Sequence, residues 1–284
     1  MKPFDTICVV DWSAGNDTGP TPRKDAIWAG VCRGETEEEP VYLRNRDSAV
    51  EWLSAFIASE RAAGRRVLIG FDFPFGYPEG FSSAIVGVGS ALKLWDFYAA
   101  HLRDSPRSNN RFHLAGEINA CFPGVGPFWF NGLKEDIPHL PRTRKERDRG
   151  HGQTDRRVCE SKARGTFTCW QMGGAGAVGG QVMTGMAALA GLRDRFKGDV
   201  WVWPFEAPYG PVLFVEVWPS LIAPAVKAAG DPIKDRAQVR LLARALARLP
   251  MDEFRGLFAV DAPNEGWILG VGHEDKLGAA LCQS

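Results

Sequence analysis

The chain has 284 residues, 45% of them hydrophobic, which is enough to bury a sizeable core in one large domain with or without a long insertion. Its 34 basic and 34 acidic residues cancel, so no overall charge favours nucleic acid or an anionic membrane, and a polyanion would need a local patch. No apolar run approaches the roughly 20 residues of a membrane span, and "MKPFDTICVV" lacks a secretion signal. We therefore expect a cytoplasmic protein that does not contact a membrane.

The first quarter of the chain predicts four strands and one helix. The strands are "TICVVD", "DAIWAGVCR", "EPVYLRNR" and "RRVLIGFDF", and a turn-rich segment joins the first two as a hairpin. Between the third and fourth strands, "DSAVEWLSAFIASERAAG" predicts a helix that is capped by Asp47 or Ser48 and stopped by Gly64. The fourth strand shows no polar alternation before Asp72, which is typical of a strand covered on both faces.

The segment from about 76 to 165 reads as an insertion within a single domain spanning 1–284. It holds a predicted helix, "SALKLWDFYAAHLRD", followed by proline- and glycine-rich stretches and a run too charged to pack. The rest of the chain predicts, in order, a strand "GTFTCWQM", a glycine loop "GGAGAVGG", a helix "QVMTGMAALAGLRDRF", strands "DVWVWPFE" and "PVLFVEVWPS", an amphipathic helix "DPIKDRAQVRLLARALARL", and a terminal helix. This order predicts a mixed α/β sheet with helices on its faces.

Two aspartates end apolar strands in the same manner, Asp11 in "VVDWS" and Asp72 in "GFDFP". In open α/β sheets, ligands bind in the crevice beyond the carboxyl ends of the strands. Two carboxylates in one crevice repel each other unless a cation lies between them, and Mg²⁺ or Mn²⁺ suits such oxygen ligands. A turn cap is the alternative for either residue alone. It is weaker for the pair, because Phe73-Pro74 does not continue as a helix.

A third acid, Glu216 in "VLFVEVWP", lies inside a predicted strand. Burying an unpaired carboxylate costs several kcal/mol, so a metal, a cationic partner or protonation must offset that cost. Pairing with an arginine is the alternative. Four further residues are weaker candidates for the same site: Ser13, Glu160, Glu206 and Asp261.

The motifs "VVDWS", "GFDFPFGYP", "AGAVGGQVMTG" and "VEVWPS", in that order, resemble an uncharacterised family of predicted nucleases with a ribonuclease-H-like fold. The resemblance runs from Asp11 to about Pro219. It implies a five-stranded mixed sheet flanked by helices, with three antiparallel strands, two parallel strands and a long insertion after the fourth. It also implies that acids on the first and fourth strands bind a divalent metal. Similar chains are sometimes labelled cobalamin or molybdopterin cofactor biosynthesis proteins, which no residue set here supports.

One departure from the fold's usual pattern concerns the acid on the last helix, where this chain offers only Glu274 and Asp275 at the helix start. Glu216 is our substitute, which gives the set Asp11, Asp72 and Glu216. With two ions about 3.5 to 4 Å apart, a water would attack a phosphodiester in line without a side-chain nucleophile. The sequence therefore predicts a divalent-metal-dependent phosphodiester hydrolase of nuclease type.

Substrate contacts are predicted in the basic run from 142 to 164. Arg144, Lys145, Arg156 and Arg157 are candidates for phosphate contacts, which would give salt-sensitive, sequence-independent affinity for nucleic acid. The alternative is a solvated loop.

Other classes of function remain open. Gly174, Gly176 and Gly179 fit G-x-G-x-x-G before a predicted helix, which would suit a nucleotide- or cofactor-binding protein. "DWSAGN" also faintly resembles the phosphate loop of sugar-kinase and actin-like ATPases, so a kinase- or transferase-like protein is possible. A third class is a non-catalytic scaffold that keeps the fold without a metal.

Overall fold

A computed structural model describes residues 3–105, 107–143, 150–261 and 264–282. The chain forms two compact units. The first comprises Met1–Phe73, Leu192–Asp261 and Trp267–Ser284, and the second comprises Pro74–Gly191 and Ala262–Gly266. The predicted insertion, about 76–165, thus lies within the second unit, which also takes in most of the helix that follows the glycine loop.

The first unit is built on a mixed sheet. Within the described residues the sheet has seven strands: β1 (Thr6–Asp11), β2 (Ile27–Arg33), β3 (Thr36–Glu37), β4 (Val41–Arg44), β5 (Val67–Phe71), β6 (Val200–Val202) and β7 (Val212–Glu216). The strand order is β3-β2-β1-β5-β7-β6, and β4 also pairs with β2. β2 is antiparallel to β1, as the hairpin prediction requires, whereas β5, β7 and β6 run parallel to β1. The α/β prediction is confirmed, with two more strands than the expected five because β3 and β6 are short additions at the edges.

Helices flank this sheet, and one of them packs on β1 and β2. They are α1 (Arg46–Ala62), α7 (Ala223–Ala229), α8 (Lys234–Arg248), α9 (Met251–Gly256) and α10 (Glu274–Cys282), with a 3₁₀ turn at Pro219–Ile222. Every residue of β5 and β7 is buried, as the lack of polar alternation in β5 predicts. The cap of α1 differs from the prediction: the Asn45 side chain accepts the N–H of Ser48, so neither Asp47 nor Ser48 is the N-cap.

The position of α8 is set by a glycine in β2. A Cβ atom at Gly30 would lie 2.5 Å from the backbone carbon and oxygen of Val239, so only glycine lets the helix approach this closely. On the same face, the Arg236 guanidinium carbon lies 6.0 Å from the centroid of the Trp28 ring. α8 therefore packs on the face of the sheet that carries Trp28 and Gly30.

The second unit is helical. It contains α2 (Phe81–Val86), α3 (Ala91–His101), α4 (Arg111–Asn119), α5 (Val158–Lys162) and most of α6 (Gly179–Arg195). Its core is aromatic, with the Tyr77 ring 4.4 Å from Phe81 and 5.1 Å from Trp170 between centroids.

The strand predicted at 165–172 is wrong. The only pairing in this stretch of the described chain is an isolated bridge from Gln171 to Trp129. Strand alternation fails here because Phe167 and Cys169 would share one face of a strand, yet Phe167 is 58% exposed and Cys169 is buried.

None of the described helices has both the length and the apolar character needed to cross a lipid bilayer.

Candidate functional site

The two strand-end aspartates occupy matching positions on neighbouring strands. The parallel register aligns Val9 with Gly70 and Val10 with Phe71, and the N–H of Asp72 donates to the Val10 carbonyl at 3.0 Å. Asp11 and Asp72 are the next residues after this last aligned pair, so they lie side by side at the carboxyl ends of β1 and β5.

Both aspartates belong to the face covered by α8. Val9 is aligned with Gly30 on β2 and with Gly70 on β5, and paired residues share a face of the sheet. Alternation then assigns Asp11 and Asp72, each two residues further along, to the Gly30 face. This is the face on which α8 packs.

α8 brings a third carboxylate, Asp235, which lies in its first turn. An oxygen of Asp235 accepts the N–H of Asp25 at 2.8 Å, which joins the start of α8 to the end of the β1–β2 connection. Asp25 has φ 58°, a left-handed conformation that few residues other than glycine adopt. We call Asp11, Asp72 and Asp235 the acidic edge.

Asp235 is not among the site residues that the sequence predicts. The family pattern places the helical acid on the last helix, at Glu274 and Asp275, and "DPIKDRAQ" predicts only the start of an amphipathic helix. The available signal was the acid in the first turn of that helix, where a carboxylate favours the helix amino terminus.

The acidic edge concentrates negative charge. Burial, followed by the charges of Asp72 and Asp235, raises the pKa of Asp11 well above its usual range. Burial, followed by the charges of Glu216 and Asp235, raises the pKa of Asp72 to about 7. Lys234 opposes both shifts. The carboxylates therefore sense one another, and a bound cation would relieve their repulsion.

The repulsion between these carboxylates predicts that the stability of the metal-free protein depends on pH. Asp72 has a pKa of about 7 when folded and 3.8 as an ordinary aspartate, so between these values the folded chain keeps a proton that the unfolded chain has lost. Raising the pH through this window should therefore lower the stability of the wild type relative to Asp72→Asn. Urea unfolding of both proteins from about pH 4 to about pH 8 measures the difference. Parallel curves for the two proteins would show that Asp72 is not strained.

Glu216, the third acid of our predicted set, lies on the face of the sheet opposite to that of Asp11 and Asp72. It is the last residue of β7, is 2% exposed and is aligned with Phe71. Alternation gives it the face of Phe71 and Phe214, whose rings are 5.2 Å apart, rather than the face of Asp72. Glu216 is thus a buried acid on the opposite face of the sheet, and its charge raises the pKa of Asp72. Asp235 differs, because it lies on α8, which packs on the same face as Asp72.

Two of the weaker candidates have structural contacts in the first unit. Glu206 pairs with Arg193 at 2.6 Å and accepts the N–H of Val202 at 2.9 Å. Ser13 donates its hydroxyl to the Asp25 carbonyl at 3.0 Å and so shapes the β1–β2 connection.

The other candidate acids, Asp261, Glu160, Glu274 and Asp275, have the following surroundings. Asp261 is an exposed residue outside any helix or strand. Glu274 and Asp275 are exposed at the start of α10, where Glu274 accepts the N–H of Gly272 at 3.1 Å. Glu160 is buried in the second unit, where it pairs with an arginine.

That arginine is Arg157, which we predicted as a phosphate ligand. Arg157 is 0% exposed, its Nε lies 2.9 Å from Glu160 Oε1, and its Nη1 donates to the Glu265 carbonyl at 3.0 Å. An enclosed guanidinium cannot contact a polyanion, so the predicted phosphate contact is corrected: Arg157 holds Glu160 and the Glu265 carbonyl inside the second unit. Arg156 donates to Thr166 Oγ1 at 2.7 Å. Arg144 and Lys145 lie outside the described residues.

The glycine loop owes its composition to aromatic packing. A Cβ atom at Gly174 would lie 2.9 Å from the Phe130 ring, and one at Gly176 would lie 2.4 Å from Phe167; both glycines have positive φ. A Cβ atom at Gly179 would meet the Cys169 carbonyl at 2.8 Å. No strand leads directly into the loop in the described chain, where the element before it is α5, so the context that the dinucleotide motif requires is missing.

The donor chemistry of the acidic edge fits a hard cation. Its ligands are carboxylate oxygens, which suit Mg²⁺ or Mn²⁺ better than softer metals. Among the described residues, no group of three or more His, Cys, Asp or Glu side chains is arranged to hold a metal ion. Mg²⁺ needs only one or two carboxylates, because water and substrate phosphates complete its coordination. Asp11 and Asp72 would supply that pair.

No family model, curated protein or solved structure matches this chain.

Proposed function

We propose that the protein is a divalent-metal-dependent phosphodiester hydrolase of nuclease type, with a ribonuclease-H-like sheet and its site at the acidic edge. The observation that carries the proposal is the matched placement of Asp11 and Asp72 on one face of two adjacent parallel strands. Their raised pKa values support it, because such a pair is costly without a cation.

The sheet supports the fold part of this proposal. The strands β4, β2 and β1 are successively antiparallel, and β5 and β7 then continue parallel to β1. This is the order of three antiparallel and two parallel strands that the family resemblance implies. In that frame Asp11 and Asp72 are the acids of the first and fourth principal strands.

The proposed roles follow from position. Asp11 and Asp72 would hold the ion, and Asp235, whose carboxylate accepts the Asp25 N–H, would hydrogen-bond a water that the ion binds. When bound, Mg²⁺ or Mn²⁺ would lower the pKa of the attacking water and offset charge on the phosphodiester. Glu216 remains the second candidate for the third acid, since its charge reaches Asp72 from the other face.

The experiment is a hydrolysis assay with Mn²⁺ or Mg²⁺ on a labelled oligonucleotide and on bis(p-nitrophenyl) phosphate. We expect cleavage of both substrates that stops when EDTA is added and in Asp11→Asn. Asp235→Asn should lose activity, and Asp275→Asn, on the exposed start of α10, is the matched control that should keep it. Cleavage that persists in EDTA would overturn the mechanism. Mn²⁺ binding without any hydrolysis would favour the non-catalytic scaffold.

A further inference from the structure

We propose that Lys24 and Lys234 form a phosphate-binding pair beside the acidic edge, which makes an extended nucleic-acid strand a better substrate than a small isolated phosphodiester. This inference rests on the proposed hydrolase. It names the substrate class of that same site, and it concerns residues that the sequence did not single out.

The pair is brought together by one hydrogen bond between distant parts of the chain. The N–H of Asp25 donates to the Asp235 carboxylate at 2.8 Å across 210 residues of sequence. Lys24 directly precedes Asp25, and Lys234 directly precedes Asp235 and begins α8. Two lysines from separate segments therefore flank one junction, next to a residue of the acidic edge.

Both lysines have ammonium groups that a ligand in solvent can contact. Lys24 and Lys234 are solvent-exposed residues, and within the described part of the chain no ion pair holds either ammonium group. Their neighbour Arg23 differs, because its Nε lies 3.5 Å from Asp17. A lysine ammonium is a compact point charge on a flexible stem, which suits a phosphate whose position varies along a strand.

Both lysines lie beside the acidic edge. Each is the chain neighbour of one partner in the hydrogen bond from the Asp25 N–H to the Asp235 carboxylate, and Asp235 belongs to the acidic edge. Cations this near to a bound phosphodiester would meet the phosphates on either side of it. A strand has such neighbouring phosphates and a small phosphodiester has none, so the lysines distinguish the two substrate classes.

The test compares the double variant Lys24→Gln/Lys234→Gln with the wild type in the presence of Mn²⁺. Hydrolysis of a single-stranded oligonucleotide is measured over a range of salt concentrations, and hydrolysis of bis(p-nitrophenyl) phosphate is measured in parallel. We expect the double variant to raise KM for the oligonucleotide and to reduce the salt slope of log(1/KM) by roughly 0.7 for each lysine. The loss of kcat/KM of the double variant on bis(p-nitrophenyl) phosphate should be much smaller than its loss on the oligonucleotide.

The matched control is Lys197→Gln. Lys197 is exposed in the same unit but lies just before β6, at the amino-terminal end of the parallel strands and so at the opposite end of the sheet from the acidic edge. We expect its salt slope to equal that of the wild type.

The outcomes separate this inference from the proposed function. An unchanged salt slope, or an equal loss on both substrates, would overturn the phosphate-binding pair while the hydrolase stands. Failure of the wild type to cleave either substrate would overturn the hydrolase and the inference with it.

Discussion

Replacement of Asp72 by asparagine is expected to lower Mn²⁺-dependent phosphodiester hydrolysis about a thousandfold while the protein stays folded. A bound metal contributes several kcal/mol of transition-state stabilisation, and each 1.36 kcal/mol corresponds to a factor of ten in rate. The neutral amide is a poor metal ligand, so most of that contribution is lost. Asparagine keeps the shape of the side chain. It also removes a carboxylate that is costly to ionise in the folded protein, since burial and the charge of Glu216 raise the pKa of Asp72. Steady-state kcat/KM and thermal unfolding of the same preparation measure both effects.

Two comparisons sharpen this prediction. Glu206→Gln changes an acid that pairs with Arg193 in the same unit, and it should leave kcat/KM unchanged. Glu216→Gln tests the second candidate for the third acid: a loss comparable to that of Asp72→Asn would place Glu216 in the site. Full activity in Asp72→Asn would remove the acidic edge from the mechanism.

Replacement of Arg157 by methionine is expected to destabilise the second unit by about 3–5 kcal/mol. Arg157 and Glu160 are both enclosed, with 0% and 2% of their side chains exposed, and they are paired at 2.9 Å. Methionine fills much of the space but leaves the Glu160 carboxylate buried without its cation. The free energy of unfolding from denaturant titration, followed by near-ultraviolet circular dichroism of the aromatic core, measures the effect.

A double variant identifies the cause of that loss. Arg157→Met/Glu160→Leu removes both charges and should recover much of the stability, because the cost comes from the unpaired carboxylate. Arg156→Met, on the neighbouring residue, should cost far less. If Arg157→Met instead kept its stability and lost only affinity for nucleic acid, the phosphate-binding role that the sequence suggests would be restored.

The sequence predicts those features that depend on local pattern. The uniform apolar character of β5 and the amphipathic period of α8 reside in single stretches, and both elements form where the pattern places them. The prediction that Asp11 and Asp72 each end an apolar strand also follows from local pattern, because each aspartate directly follows an apolar run.

The features that sequence reasoning missed depend on tertiary contacts. Asp235 joins the acidic edge only because α8 docks on Gly30, and no local pattern predicts which helix covers which strand. Arg157 lies in a highly charged run that suggests solvent exposure, yet its partner carbonyl on Glu265 is 108 residues away in sequence. The glycine loop likewise depends on aromatic rings, Phe130 and Phe167, from outside the loop.

The most direct test of the central claim is anomalous diffraction from a crystal soaked in Mn²⁺. Asp11 and Asp72 are expected to share one cation on the α8 face of the sheet. We predict an anomalous peak about 2 Å from an oxygen of each carboxylate. A crystal that takes up Mn²⁺ elsewhere, or shows Asp11 and Asp72 with no shared peak, would contradict the claim.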